Sequence, residues 1–313
     1  MALSKIQTSE MLDTQNLGRR NLIINGAMSI NQRAATSGIT SGYFVDRFQL
    51  SGVSASAVIT SSTPTEFPTA ITVSATSGNP IILQKIESKM VQHLSGKVVT
   101  VSFYAKNISN ATTLYTSLQY AGSADNFGST TTISEQNLGN LTTDWVKYTA
   151  SWTVPAGGLN GLSLNILCAG SSTFTMGVTG VQLEVGDTAT DFEHRSYGEE
   201  LSLCQRYYEL IGFGNIALAE SGSTYVHNLN YKVEKRAVPT ISLFTTSNIR
   251  IRQFGVSDRD AASPSASSTA GSKNGGYIKV TGFNGIGGAA TAAGIGYTTS
   301  SEAGNIFYIS AEL

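Results

Sequence analysis

The sequence predicts an all-β protein: an N-terminal jelly-roll-like antiparallel β-sandwich, a short connecting helix and a second, smaller β-rich domain. Three observations lead there. Apolar residues recur at every second position through several stretches, the period of a half-buried strand. Clusters of Gly, Ser, Asn and Pro punctuate those stretches at short intervals. Glycine is abundant at 32 residues while the apolar fraction reaches 41%, a mix that suits short strands joined by tight turns rather than disorder. At 313 residues the chain exceeds what one core usually serves. No repeat of fixed period points to a propeller or a β-helix.

Taken in order, residues 1–20 are polar, lack a period and end in Gly18-Arg19-Arg20. Such a segment either frays or orders by docking onto a partner. From residue 21 to about 187 the pattern is all β. Val99, Val101, Phe103 and Ala105 alternate with Thr100, Ser102 and Tyr104; Val146, Tyr148, Ala150, Trp152 and Val154 alternate with Trp145 and its polar neighbours; Leu162, Leu164, Ile166 and Cys168 repeat the device. Phe174, Met176 and Val178 begin a strand leading to Val181, Leu183 and Val185. Weaker strands lie at Tyr43–Leu50, Ala55–Ser61, Ile81–Glu87 and Leu114–Tyr120. Turn clusters at Ser77–Pro80, Asn107–Asn110, Ala156–Gly158 and Gly170–Ser172 separate them, giving about nine strands in a sandwich.

The chain breaks at Gly186, and Ser196 then stands three residues before Glu199, the spacing of a helix-capping box. Leu201, Cys204 and Tyr208 would share one face of the helix. The predicted organisation is therefore a terminal peptide at 1–20, a sandwich at 21–195, a helix at 196–213 and a β-rich domain at 214–313. In that last domain Thr224–Tyr231, Ile249 with Ile251, Tyr277–Val280 and Ile306–Ala311 read as strands. The biased segments Ala261–Gly271 and Gly282–Gly296 read as loops, or, in the Gly285–Ala290 run, as close backbone packing near a symmetry axis.

Three phrases carry a resemblance. They are Asn21-Leu22-Ile23-Ile24-Asn25-Gly26-Ala27-Met28, Val45-Asp46-Arg47-Phe48, and Gly180-Val181-Gln182-Leu183-Glu184-Val185-Gly186 continuing through Phe192-Glu193-His194-Arg195 to Cys204-Gln205-Arg206-Tyr207-Tyr208. In that order the chain resembles tail-fibre and virion-appendage proteins of tailed bacteriophages with a carbohydrate-binding-module-like domain. The resemblance implies a virion structural protein, made in the host bacterial cytoplasm. It would attach to another virion protein through residues 1–20, assemble as a homotrimer and present a module that binds host-surface glycan. The alternative is a capsid decoration or neck protein without receptor binding.

Composition excludes other classes. Charged residues make up 13% and the net charge is −1, so no basic footprint for nucleic acid or for a membrane surface is present. No apolar run approaches the roughly 18 residues of a spanning helix, and Met1–Ile6 lacks the apolar core of a secretory signal. Cys168 and Cys204 read as buried free thiols. His93, His194 and His227 sit in no metal-ligand spacing, and Asp125 beside Asn126 falls short of a calcium set. No metal, no cofactor and no enzyme activity are expected. Asp187, Asp191 and Glu193 lie together in a bend, where turn capping and charge pairing explain them better than glycoside hydrolysis. Glu193, His194, Arg195 and Glu199 are expected to lock the join between domains. Sugar binding needs aromatic faces and short polar side chains. Trp145, Tyr104, Tyr115 and Gln119 are the candidates in the first domain; Tyr225, His227 and Tyr231, on one strand face, are those in the second.

Overall fold

The alternation of the sequence reappears as burial in the computed structural model, which describes residues 19–33, 41–51, 55–76, 78–212, 215–221, 223–244, 249–253, 259–261, 263–283, 293–298 and 305–313. The protein is all-β apart from short helical pieces. It falls into two compact units, one running up to Ser196 and including Leu313, the other Tyr197–Glu312.

The first unit is a jelly-roll-like sandwich made from one nine-stranded antiparallel sheet. Its strands are β1 (Gly42–Val45), β2 (Phe48–Ser51), β3 (Ala55–Thr60), β4 (Ala70–Ala75), β5 (Ile81–Glu87), β6 (Val98–Ser123), β7 (Asn126–Asn140), β8 (Val146–Thr153) and β9 (Gly161–Val185), with a single turn of helix α1 (Ser88–Val91) after β5. β6 and β9 have 26 and 25 residues, far beyond the usual five or six, and each serves both layers. Residues 98–105 of β6 pair with β8, and residues 113–123 pair with β7. Likewise β9 pairs with β5 through residues 161–167 and with β4 through residues 174–178.

The corner between the layers lies where turns were expected. Asn107–Asn110 and Gly170–Ser172 do not end strands; they are the irregular part of a continuing β6–β9 ladder. There β6 advances from Asn110 to Ala111 while its partner jumps from Thr175 to Gly170. Asn110 takes a φ of 53°, a left-handed conformation that Asn tolerates better than most residues. Bulges of this kind bend a strand without breaking the sheet.

One core fills the sandwich, with Val99, Val101, Phe103, Leu118, Leu164, Ile166, Met176 and Leu183 all buried. Two strands escape the apolar alternation. β7 is polar almost throughout and lies at the sheet edge, pairing with β6 alone. In β5 the inward set is Ile82, Gln84 and Ile86, so Ile81 and Leu83 turn outward. Gln84 is tolerated inside because its Oε1 accepts the Ile24 N–H and its Nε2 donates to the Ile24 carbonyl, both at 2.8 Å.

The second unit opens with helix α2 (Tyr197–Gln205), with Glu199 and Glu200 in its first turn, where the helix dipole favours anions. Cys204 is buried as expected, whereas Tyr208 belongs to the next strand. Two sheets follow. One holds β10 (Tyr208–Gly212), β19 (Asn305–Ser310) and β13 (Thr240–Leu243) in that order. The other runs β15 (Arg259–Ala261), β14 (Ile249–Gln253), β18 (Ala293–Thr298), β11 (Asn215–Ser221), β12 (Thr224–Asn230), β17 (Gly275–Thr281) and β16 (Ser265–Gly271). The expected loop Ala261–Gly271 is thus largely strand, paired with β17. Within the other biased segment, residues 293–298 form a strand between β11 and β14. Residues 284–292, with the whole Gly285–Ala290 run, and residues 1–18 of the expected anchoring peptide at 1–20 lie outside the described residues.

Candidate functional site

The three phrases meet in space and build scaffold. Asn21 Oδ1 accepts from the N–H of Ile23 and of Leu183, at 2.9 and 3.0 Å, and its Nδ2 donates to the Val181 carbonyl. Asn25, at a φ of 62°, donates from Nδ2 to the carbonyls of Ile30 and Asp46. Gly26 passes so close to β9 that a Cβ there would lie 2.1 Å from the Val181 carbonyl oxygen. The polar residues of β9 act on the other side of the strand. Gln182 and Glu184 hold the loop that follows, Glu184 through Thr190 and Gln182 through the N–H of Glu193.

That loop clamps the start of the unit. Glu193 accepts the N–H groups of Arg20 and Asn21, each at 2.9 Å. Arg195 pairs with Glu193 at 2.9 Å and donates to the carbonyls of Asn21 and Ile23. Burial opposes ionisation of Glu193, but the two backbone donors and Arg195 outweigh it and lower its pKa. His194 packs its ring against Phe67 and Phe192. Of the residues expected at the join between units, Glu193 and Arg195 hold Arg20, Asn21 and Ile23 within the first unit, and Glu199 is exposed on α2.

The candidate site lies on the outer face of the other layer, where register lines up five strands. Gln49 pairs with Leu83, Leu83 with Asn165, Asn165 with Ser117 and Ser117 with Glu135. Beside this row runs a second one, Lys85, Ser163, Gln119 and Thr132. Paired residues of an antiparallel sheet point to the same face, and here they surround a groove of about 270 Å³ bounded by Gln49, Ile81, Leu83, Gln119, Phe127 and Asn165.

Its floor is polar and nearly closed to solvent. Ser117, Ser163 and Asn165 are only 3–4% exposed. Ser163 donates to Asn165 Oδ1 at 3.1 Å, and Asn165 Nδ2 donates to the Ser117 hydroxyl at 3.2 Å. Gln119 is held by Thr130, which donates to Oε1 at 3.0 Å, and by its own Nε2 bond to Thr132. Gln49 Oε1 differs: it is a buried acceptor with no hydrogen-bond partner. At one end Phe127 rises over Gly161, whose φ of +117° and lack of a Cβ give the ring room. Lys85 Nζ lies 5.4 Å from that ring and donates to the Leu313 carbonyl at 2.8 Å. A groove with apolar sides, one aromatic wall and a few convergent polar groups suits a small polyhydroxylated ligand.

The sequence candidates divide among three places. Gln119 lines the groove, and Tyr115 lies half-buried on the same face, in the row with Leu167 and Ile81. Tyr104 and Trp145 belong to the opposite layer. The Tyr104 hydroxyl donates to Glu66 at 2.9 Å, and its ring packs on Phe67. Burial, then the Glu66 hydrogen bond and charge, raise its pKa. Trp145 is half-buried against Gly177, with Lys106 Nζ 5.0 Å from the ring, so much of its surface is already covered by this chain.

Tyr225 and His227 are a correction. Both are 0% exposed, on the inner face of β12 with Leu229, and form core rather than a receptor surface. Tyr231 is half-buried against the same core. Alternation marks a strand's two faces but does not say which is wet; here the polar partners Asn228 and Asn230 took the outside.

Gln49, Lys85, Phe127, Thr130, Ser163 and Asn165 were missed. No motif marks them, because the site comes from strand register across distant segments. Asp125 Oδ1 accepts the Ser88 N–H at 2.6 Å, which ties the β6–β7 connection to the first residue of α1. Among the described residues no group of three or more His, Cys, Asp or Glu is placed to hold a metal.

No protein-family profile matches the chain, and neither does any curated protein. Solved structures give distant likenesses. The enzymatically active domain of tailspike protein 4 of bacteriophage CBA120 is 15% identical, with a TM-score of 0.37, over 53% of this chain and 21% of its own. The C-terminal family 22 carbohydrate-binding module of Clostridium thermocellum Xyn10B is 16% identical, with a TM-score of 0.36, over 50% of this chain and 98% of the module. The xylan-binding domain of Paenibacillus barcinonensis Xyn10C is 14% identical, with a TM-score of 0.37, over 54% of this chain and 96% of that domain. This chain therefore spans about a fifth of the tailspike chain.

Proposed function

We propose that the first unit binds glycan in the groove between β2 and β7, and that the chain is a non-enzymatic virion appendage of a tailed bacteriophage. The observation that carries the glycan reading is the buried, unpartnered Gln49 Oε1 beside the Ser117–Asn165–Ser163 floor. An acceptor buried without a partner costs free energy, and a sugar hydroxyl supplies the missing donor. The surrounding Ile81, Leu83 and Phe127 give apolar contact for the ring faces. No carboxylate stands among the described groove residues, whereas glycoside hydrolysis generally uses a pair. The phage assignment is supported by the three phrases alone. With it come homotrimeric assembly and attachment through residues 1–20, since multivalent display raises the avidity of weak sugar contacts.

The test is affinity electrophoresis of the full chain through gels containing xylan, β-galactan or bacterial envelope polysaccharide. Retardation is expected in at least one. Gln49→Ala and Asn165→Ala should each weaken it about tenfold, the loss of one hydrogen bond of roughly 1.4 kcal/mol. Trp145→Ala, on the other layer, should leave it unchanged. Retardation lost in Trp145→Ala and kept in Gln49→Ala would move the site to the opposite layer. No retardation in any gel would remove the glycan reading.

A further inference from the structure

We propose that the second unit is an acid-sensitive module, in which protonation of His227 separates its three-stranded sheet from its seven-stranded one while the first unit stays folded. The inference is independent of the glycan groove. His227 lies in the middle of β12, paired in register with Ala217 of β11 and Ile278 of β17. It is 0% exposed, and neither ring nitrogen has a hydrogen-bond partner. Its ring meets Phe307 edge-on at 4.9 Å. Phe307 belongs to β19 of the other sheet, so this contact bridges the two layers of the core.

Among the described residues, the groups around it offer no free counter-charge. The inner faces of β11, β17 and β14 contribute Ala217, Ala219, Ile278, Val280, Ile249 and Ile251. β19 adds Phe307 and Ile309, and β10 adds Ile211 with Glu209. Glu209 is the one charged group in this set. It is occupied by Lys235 Nζ at 2.5 Å and by the Lys232 N–H at 3.1 Å. Tyr231, just past β12, holds its proton, since burial and then the Glu209 charge push its pKa up to about 12.

An imidazolium here would be a buried ion without a partner, the costliest kind of buried group. Burial lowers the His227 pKa from 6.5 to about 4. Between those values the unfolded chain binds the proton and the folded one does not. Stability is therefore complete above about pH 6.5 and falls as pH drops, by up to tenfold per unit in the folding constant.

The full chain suffices for the test, because both tryptophans, Trp145 and Trp152, lie in the first unit. Limited proteolysis with an acid-tolerant protease should cut within 197–312 progressively faster from pH 6.5 to 4, with tryptophan fluorescence unchanged. The rise between those two pH values should reach about 80-fold, because half the protonation at the folded pKa is still to come and the first doubling has already occurred at pH 6.5. His227→Phe and His227→Leu should flatten that profile. A wild-type profile flat to pH 4, or a variant as acid-sensitive as wild type, overturns the proposal, the latter pointing to Glu209. Should neither variant fold, NMR titration of His227 in the wild type decides: a pKa near 6.5 overturns the proposal and one near 4 supports it.

Discussion

Away from the groove and its unpartnered Gln49, the two units treat buried polarity differently. In the first, Asn21, Asn25, Gln84, Gln182 and Glu184 are almost wholly buried, and each is tied to neighbouring backbone or side chains. In the second, one fully buried ion pair, Glu209–Lys235, shares the unit with a buried histidine that has no partner. The first arrangement fixes one conformation, because every alternative leaves a polar group stranded. The second leaves a group whose charge state changes what the core can hold. The three sequence phrases thus mark where a scaffold is pinned, while the groove is built from residues without a phrase.

The largest expected break in this contrast is Gly26→Val. Its Cβ would fall on the Val181 carbonyl, so the first unit should lose its fold, at a cost above about 4 kcal/mol. A red shift of Trp152 emission would report it. A normal emission spectrum would show that the phrase can move away from β9.

Next comes Lys235→Met in the second unit. It leaves the Glu209 carboxylate buried without its cation, a loss of about 3–5 kcal/mol, whereas Lys235→Met with Glu209→Leu should recover most of it. Burial lowers the Lys235 pKa, partly offset by the Glu209 hydrogen bond and charge. Thermal unfolding followed by tyrosine near-ultraviolet circular dichroism measures both variants. Equal losses in the single and double variants would show that the pair is not coupled.

The smallest effect concerns Glu193. Because its folded pKa is lowered, its contribution is present above the unfolded carboxylate value of about 4.5 and disappears as pH falls through the folded value. Glu193→Gln should therefore shrink the decline in the first unit's Tm between pH 5 and pH 3, with little effect at pH 7 on the second unit. An unchanged decline would assign acid sensitivity of the first unit to other carboxylates.

Much of the fold could be read in advance, and the reason is local. Val99 to Ala105 or Leu162 to Cys168 alternate strictly, so burial of one face determines the strand. β7 could not be read, because an edge strand with little core to cover needs no apolar face. Nor could the continuity of β6 and β9, since Asn107–Asn110 and Gly170–Ser172 have the composition of turns whether the chain reverses or merely bends. Ala261–Gly271 misled in the same way: small polar residues tolerate either loop or edge strand. Of the site, Gln119 was within reach as a polar residue facing out of a strand. Gln49, Ser163 and Asn165 were not, because their meeting depends on which strands are neighbours. Tyr225 and His227 failed for a different reason, since aromatic residues on an amphipathic strand look the same whether they face solvent or core.

The sharing of β6 and β9 between both layers has a mechanical consequence. These two strands run antiparallel along much of their length, with residues 99–120 of one paired to 162–185 of the other. A pull directed along them loads many hydrogen bonds in parallel rather than one after another. The layers therefore cannot be peeled apart without shearing this common ladder. Under a load applied along these strands, the seam that organises the sandwich would also set the force at which it gives way.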